Sequence, residues 1–145
     1  MAAVPEIRIR KGNDGSINPK GDYVLYWMIA CRRTNWNFGL QRAIERAVEL
    51  NKPLVVLEAL RIGYEWACDR FHGFVLKGME DNARSLAESG VVYYPYVEPE
   101  PDADKGLLAA LAQKACILVT DDFPGFFFPR MVRSASRRIP VIWRS

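Results

Sequence analysis

Short apolar runs alternate along the chain with segments in which apolar residues recur every three or four positions. The runs are YVLYWMI (23–29), LVVLEAL (54–60), VVYYPYV (91–97), CILVTDD (116–122) and PVIW (140–143). Apolar runs of this length, rich in β-branched and aromatic residues, are typical of strands that are covered on both faces. The pattern predicts five strands separated by four amphipathic helices.

Capping residues suggest where the helices begin and end. The first helix is predicted from Asn35 to about Leu50, with Thr34 or Asn35 as its N-cap. The second is predicted to end at Gly90 as a left-handed cap. Its expected buried stripe is Phe71, Phe74, Val75, Gly78, Met79, Ala83, Leu86 and Ala87. A short helix begins near Leu107, and a last one is predicted over 129–137.

Strict alternation of buried strands and amphipathic helices predicts one α/β domain over residues 1–145. The expected architecture is a three-layer α/β/α sandwich, with a doubly wound, mainly parallel, five-stranded Rossmann-like sheet. Residues 1–20 form an amino-terminal extension ahead of the first strand. Pro95 lacks an amide proton, so the third strand is expected at an edge of the sheet.

Composition and charge limit which partners and which cellular compartment are expected. The chain has 145 residues, half of them hydrophobic, and a net charge of +3, which by itself indicates neither a nucleic-acid nor a membrane partner. Three widely spaced cysteines suggest neither a disulfide framework nor a zinc site, which favours a reducing, cytoplasmic location. The first twenty residues lack the apolar core of a signal peptide.

The fold class indicates where a ligand would bind. In doubly wound sheets, ligands lie beyond the carboxyl ends of the strands, where the strand order reverses. This rule selects the loops Met28–Asn35, Glu58–Tyr64 and Asp121–Phe128. A thioether, a thiol, guanidinium groups, carboxylates and phenylalanine rings suit a flat ring system with polar edges.

Each candidate group also has a simpler interpretation. Trp27 and Met28 are more often core residues than ligand contacts, and Arg32 and Arg33 can be solvated surface charges. His72, the only histidine, is expected to be structural. Asp121 and Asp122 could bind a metal or activate water, but turn formation or capping is the expected duty. No G-x-G-x-x-G, Walker or G-x-S-x-G motif is present, so the sequence supports neither phosphate-loop binding nor serine hydrolysis.

The segment FPGFFFP places four phenylalanines within six residues outside a regular element. A ligand, the core or another domain is expected to cover them, because such a cluster is unfavourable in water. A basic cluster follows, formed by Arg130, Arg133, Arg137, Arg138 and Arg144. It is expected either as a solvated helix face or as a phosphate-contacting patch.

The segment GDYVLYWMIACRRTNWNFGLQRAIERAVELNKPLVVL (21–57) resembles the opening of class II DNA photolyases. YVLYWM followed by Arg32, Asn35 and Trp36 is the most specific part. IRIRKGNDGSINPKG is similar to that family's extension before the first strand. DRFHGFVLKGMEDNARSLAESGV is similar to its second helix. The loop DDFPGFFFPR departs from the family pattern, which is usually polar or basic there.

The resemblance implies an amino-terminal domain that binds an antenna chromophore, a deazaflavin or a folate. Carried over by position, the residues expected to line that site are Trp27, Met28, Cys31, Arg32, Glu58, Leu60, Asp121, Asp122 and Phe123. FAD and damaged DNA belong to a helical catalytic domain, which is absent from these residues. We therefore expect the α/β domain of a longer photolyase, or a relative that kept only this half and has no activity alone.

Two other functions remain open from the sequence. One is a free-standing binding module for a small molecule or a protein, descended from a photolyase. The other is a small hydrolase or transferase that uses Asp121 and Asp122, which lacks a histidine partner or a third metal ligand. A charged residue in place of Met28 is expected to weaken chromophore binding while leaving the fold intact.

Overall fold

The computed structural model describes residues 3–139 and 142–144. The strands are β1 (Arg10–Lys11), β2 (Tyr23–Met28), β3 (Leu54–Leu60), β4 (Val92–Val97), β5 (Ala115–Thr120) and β6 (Ile142–Arg144). The helices are α1 (Phe38–Leu50), α2 (Asp69–Leu86), α3 (Leu107–Gln113) and α4 (Phe128–Ser136), with a 3₁₀ turn at Glu6–Arg8. The last predicted strand begins with Pro140 and Val141, which lie outside the described residues.

The strands form one sheet in the order β1-β6-β5-β2-β3-β4. Strands β2 to β6 pair in parallel, and the order reverses at β2, as a doubly wound sheet requires. The predicted edge position of the third strand is confirmed, because β4 is the last strand of the sheet. It pairs with β3, and its Pro95 lies opposite Glu58. The sheet has six strands instead of the predicted five.

The additional strand comes from the amino-terminal extension. Arg10 and Lys11 pair antiparallel with Arg144 and Trp143 of β6. Two charged residues carry no apolar run or alternation, so sequence patterns do not mark them as a strand. Backbone hydrogen bonds to an open sheet edge are sufficient to order them.

Two apolar layers cover the sheet. Val24, Tyr26 and Met28 of β2 face α1, whose Leu40 and Ala43 are buried against them. Leu25 and Trp27 point to the opposite face, where the layer includes residues of α3 and α4. Since alternate residues of each central strand serve opposite layers, both faces of β2 and β5 are buried.

Three predicted helix features are wrong in detail. The N-cap of α1 is Asn37, not Thr34 or Asn35; its side chain accepts a hydrogen bond from the Leu40 amide. Helix α2 ends at Leu86, and Gly90, with a φ of +74°, closes the turn that follows. In α2 the buried residues are Met79, Asn82 and Leu86, whereas Phe71 and Phe74 point outward. Because Asn82 faces the sheet, the buried face of α2 is rotated relative to the predicted stripe.

Candidate functional site at the carboxyl edge of the sheet

The three loops predicted to hold a ligand follow neighbouring strands. They comprise residues 29–37 after β2, 61–68 after β3 and 121–127 after β5, and the strand order is β5-β2-β3. Because these strands are parallel, their carboxyl ends share one edge of the sheet. We refer to these three loops together as the carboxyl edge. The strand order reverses between β2 and β5, so this edge contains the position where doubly wound folds bind ligands.

Asp121 is the central polar group of the carboxyl edge. It directly follows β5 and is only 2% exposed. Its Oδ2 accepts hydrogen bonds from the amides of Ile29, Ala30 and Cys31, at 3.0, 2.8 and 3.0 Å. Its Oδ1 accepts a hydrogen bond of 2.7 Å from the Tyr26 hydroxyl. The carboxylate therefore fixes the loop after β2 by satisfying three successive backbone donors.

The first turn of α1 packs directly against this carboxylate. The Asn37 side-chain amide donates to the Tyr26 hydroxyl and to the carbonyl oxygens of Cys31 and Arg33, each at 2.9 Å. A Cβ added to Gly39 would lie 2.8 Å from Asp121 Oδ1. A glycine is therefore required here, because any side chain would collide with the Asp121 carboxylate.

Glu58 forms a second buried polar centre beneath the loops after β2 and β3. Its Oε2 accepts hydrogen bonds from Asn82 of α2 at 2.9 Å and from the Tyr93 hydroxyl of β4 at 2.7 Å. Arg32 lies 3.4 Å from Oε1 and donates to the Ala59 carbonyl at 2.6 Å. Burial, followed by the hydrogen bond to Glu58, raises the pKa of the Tyr93 hydroxyl, which stays protonated and donates. This network ties α2, β4 and the loop after β2 to one carboxylate on β3.

The nine residues predicted to line a chromophore site fall into two groups. Trp27, Met28, Glu58, Leu60 and Asp121 are buried. Cys31 and Arg32 are partly exposed, and Asp122 and Phe123 are exposed. The buried five shape the floor of the edge without presenting their side chains at its surface. The expectation for Met28 is corrected, because a charge at this fully buried position would disrupt the core and could not leave the fold intact.

Aromatic side chains from two loops meet above the sheet. Trp66 contacts Phe126 with ring centroids 6.5 Å apart, and Tyr64 contacts Phe127 at 6.2 Å. Tyr64 also lies edge-on to His72, with ring centroids 6.0 Å apart. Phe126 is 76% exposed, so the contact leaves most of its ring in water. These rings join the loop after β3 to the loop after β5 across the end of β2.

The amino-terminal segment crosses the same edge. The Arg8 guanidinium lies 4.4 Å from the centre of the Phe38 ring, at the start of α1. Arg10 approaches Asp122 to 3.9 Å. The Val4 amide donates to Glu45 of α1 at 2.7 Å. The segment therefore connects α1 to the β6 side of the sheet.

A pair of carboxyl groups links the loop after β4 to the loop after β3. Glu98 Oε2 accepts a hydrogen bond of 2.8 Å from the Ile62 amide, and Arg61 lies 3.5 Å from Asp104. Burial raises the pKa of Asp104, and the neighbouring Glu98 charge adds to this against the attraction of Arg61. Burial also acts to raise the pKa of Glu98, but hydrogen bonds from the Ile62 amide and the Asp104 carboxyl outweigh it and lower that pKa. Asp104 is therefore the carboxyl group of this pair with the raised pKa, and Glu98 the one with the lowered pKa.

Two surface recesses lie at the opposite end of the sheet. One, of about 410 Å³, is lined in part by Ile17, Cys116 and Ile139. The other, of about 590 Å³, is lined in part by Val48, Pro53 and Val91. Both lie near the amino ends of β2, β3 and β5 and contain none of the nine predicted site residues. The polar and aromatic groups of the carboxyl edge therefore do not line these recesses.

Other chemical candidates lack supporting geometry in the described part of the chain. No group of three or more histidine, cysteine, aspartate or glutamate side chains could hold a metal ion there. Arg130, Arg133, Arg137 and Arg138 are exposed on or just after α4, which fits either alternative for the basic cluster. None of the helices within residues 3–139 is long and apolar enough to cross a membrane.

Asn37, Gly39, Asn82 and Tyr93 were missed by the sequence interpretation. Asn37 carries a capping signal, but Thr34 and Asn35 offer the same signal earlier. Asn82 interrupts the apolar stripe of α2, and a polar residue in such a stripe indicates a buried partner. Tyr93 and Tyr94 are adjacent in β4 and alike in sequence. Their one distinguishing signal is that successive residues of a strand lie on opposite faces of the sheet.

The chain is similar to the deoxyribodipyrimidine photo-lyase of Methanothermobacter thermautotrophicus, with 36% identity over 114 residues. That match covers 79% of this chain and 25% of the relative, so the chain spans about a quarter of the relative's length. No protein-family model matches. A solved structure of a protein from the universal stress protein family of Burkholderia pseudomallei shows 16% identity and a TM-score of 0.48, over 86% of this chain and 96% of that one. The fold assignment rests on the strand order of this chain.

Proposed function

We propose that this chain, a relative of deoxyribodipyrimidine photolyase, is the α/β domain of a DNA photolyase and binds an antenna chromophore at its carboxyl edge. The observation that carries the proposal is the 36% identity over 114 residues. In this proposal the whole protein repairs cyclobutane pyrimidine dimers with light, in the cytoplasm. The α/β domain absorbs light through a deazaflavin or a folate and passes the excitation on.

The accessible groups of the carboxyl edge would contact the chromophore. Phe123 offers an exposed ring face for stacking on a planar molecule. Arg32 and Asp122 offer a donor and an acceptor for its polar rim, and the partly exposed Cys31 lies next to Arg32 in the loop after β2. Trp27, Met28, Glu58, Leu60 and Asp121 would hold these groups in place from below.

Chemistry on DNA is assigned to another part of the protein. FAD and the flipped-out dimer would bind to a helical domain beyond these 145 residues, because dimer repair requires a pocket that encloses both the flavin and the extruded bases. The α/β domain alone would have no catalytic role. The exposed aromatic rings above the carboxyl edge would contact that helical domain, or an equivalent partner protein.

The direct test uses the natural polypeptide that contains this sequence, purified from its source and assayed for light-dependent repair of a dimer-containing oligonucleotide. We expect repair, and an action spectrum that includes a band from a second chromophore besides FAD. A polypeptide that binds no flavin and repairs no dimer under light would contradict the proposal.

The chromophore site is tested by fluorescence titration of the natural polypeptide, stripped of its antenna, with a deazaflavin or a folate. Phe123→Ala should weaken binding roughly tenfold, because it removes a stacking face. Tyr94→Ala is the matched control: Tyr94 is 40% exposed against 42% for Phe123, but lies on the edge strand β4. Equal affinities for the wild type and Phe123→Ala would remove this loop from the site.

A further inference from the structure

We infer that Asp121 occupies the phosphate position of this fold, so that the carboxyl edge selects a ligand that carries no phosphate there. The inference depends on the geometry of the chain alone and holds for any ligand of this edge. Phosphate-bearing nucleotides and phosphorylated flavins would be rejected at the switch point between β2 and β5. Asp121 is thereby a specificity-determining residue.

The backbone around Asp121 is arranged to receive an anion. Three successive amides, those of Ile29, Ala30 and Cys31, point to one oxygen at 3.0 Å or less. Successive amides that converge in this way form an anion-binding concavity, which in many proteins holds phosphate. In this chain the Asp121 carboxylate fills it, and its other oxygen accepts a hydrogen bond of 2.7 Å from the Tyr26 hydroxyl.

The concavity lies where doubly wound folds place a ligand phosphate. It follows β2, the strand at which the order reverses, and it faces the first turn of α1. In dinucleotide-binding folds the phosphate lies between this loop and that helix start. Gly39 of α1 approaches Asp121 so closely that an added Cβ would lie 2.8 Å from Oδ1. The gap between loop and helix therefore holds one carboxylate and has no space for a second anion.

The charge of Asp121 also disfavours a ligand phosphate at this position. A phosphate brought next to the buried carboxylate would meet a like charge at short range in a poorly solvated position. The same charge acts on Cys31, since burial and then Asp121 raise the pKa of the Cys31 thiol. Displacing Asp121 outward would leave its charge without the four donors that now solvate it.

The test removes the carboxylate and supplies an anion from solution. In Asp121→Gly the three amides lose their acceptor and the space opens. In Asp121→Asn the space stays filled while the charge is lost. Thermal unfolding of the full 145-residue chain is followed in sodium phosphate or sodium formate, against sodium chloride of equal ionic strength.

For Asp121→Gly we expect a saturable rise of the unfolding midpoint, of roughly 5 °C at ten times the dissociation constant of the anion. The wild type and Asp121→Asn should show no saturable rise, and only the small, gradual rise that phosphate gives to any folded protein. If Asp121→Gly does not fold in chloride, Asp121→Ser, which opens part of the space, is measured in the same way.

Equal midpoints in phosphate, formate and chloride for the opened variants would overturn the inference, as would a wild type stabilised by phosphate to the same extent. Failure of both opened variants to fold in every salt would also count against it, because an anion-accepting concavity should recover its occupant. The experiment contains no chromophore, flavin or DNA, so its outcome is independent of the photolyase proposal.

Discussion

Individual polar residues in this protein connect elements that are far apart in the chain. Asp121 binds a loop about 90 residues earlier, and Glu58 joins β3 to Arg32, to α2 and to β4. Both carboxylates are almost fully buried, and each has several donors. Removing one donor from such a group leaves part of a buried charge unsolvated, which costs more than the loss of a surface hydrogen bond.

Tyr93 and Tyr94 test this difference on adjacent positions of one strand. Tyr93→Phe removes the hydroxyl that donates to Glu58 at 2.7 Å and should lower the free energy of unfolding by about 1.5–3 kcal/mol. Tyr94→Phe, on the opposite face of β4, should change it by less than about 0.5 kcal/mol. Urea unfolding measures both. Equal effects would mean that the Glu58 network adds little to stability.

Two helical glycines should respond to alanine in opposite directions. Gly39→Ala places a Cβ 2.8 Å from Asp121 Oδ1 and 2.9 Å from the Tyr26 ring, which should cost about 1–3 kcal/mol of unfolding free energy. Gly73→Ala in α2 meets nothing within 4 Å and should gain about 0.5–1 kcal/mol from helix propensity. A neutral Gly39→Ala in the same denaturation assay would show that the first turn of α1 can move away from Asp121.

At the scale of elements, the amino-terminal segment behaves as part of the fold. It binds α1 through Val4 and Glu45, pairs with β6 through β1, and reaches the end of α4 through Asn13, whose side chain donates to the Ile139 carbonyl at 2.7 Å. Val4 is buried although most of its neighbours are exposed. The segment therefore braces both sides of the sheet across the carboxyl edge.

The attachment of this segment to α1 should depend on pH through Glu45. Burial acts to raise its pKa, but hydrogen bonds from Arg42 and the Val4 amide outweigh it, so the pKa lies below its usual value of 4.5. A lowered carboxyl pKa stabilises the fold above the unfolded-state pKa, and this contribution is lost as the pH falls through the folded-state value. The protection factor of the Val4 amide, which is the intrinsic exchange rate divided by the observed rate, should therefore be high above about pH 5 and decrease below 4.5.

Two variants distinguish the contribution of Glu45 from a general unfolding of the protein in acid. Glu45→Gln should show less protection of the Val4 amide at pH 7, because the charge that favours its hydrogen bond is gone. Glu49→Gln removes an exposed carboxylate from the same helix and should leave that amide protected. Unchanged exchange in Glu45→Gln would show that the buried side chain of Val4 holds the segment without the carboxylate.

At the scale of the whole molecule, an apolar surface adjoins the carboxyl edge. We define this aromatic surface by Trp66, Phe71, Phe74, Phe126 and Phe127, each at least two-fifths exposed. Trp66 and Phe126 are in contact, and Phe71 and Phe74 lie one turn apart on α2. Exposed apolar surfaces of this kind mark contacts with another domain or protein. In the proposed photolyase this would be the helical domain.

The double substitution Phe74→Lys with Phe126→Lys should lower binding of a hydrophobic fluorescent dye and self-association of the chain. Unfolding free energy should change by less than about 0.5 kcal/mol, since both rings are mostly exposed. Val48→Lys, 75% exposed on α1 and away from this surface, is the control and should leave dye binding unchanged. A large loss of stability in the double variant would instead assign these rings to the core.

The sequence by itself determined the layered α/β architecture, the parallel order of its central strands and the edge position of β4. These follow from local signals, namely runs such as YVLYWM, the helical spacing between them and the missing amide of Pro95. It also identified the three loops that meet at the carboxyl edge, because that outcome follows from the strand order.

The tertiary structure decided what those loops do with their polar groups. From the sequence, Asp121 could have bound a metal, activated water or stabilised its own turn. Only the pairing of β2 with β5 brings it to the amides of Ile29, Ala30 and Cys31. Asn82 faces the sheet because Glu58 is buried opposite it, which rotates α2 and leaves Phe71 and Phe74 in water. Such pairings depend on distances between residues remote in the chain. A local pattern can mark a buried polar side chain, as at Asn82, but it does not identify the partner.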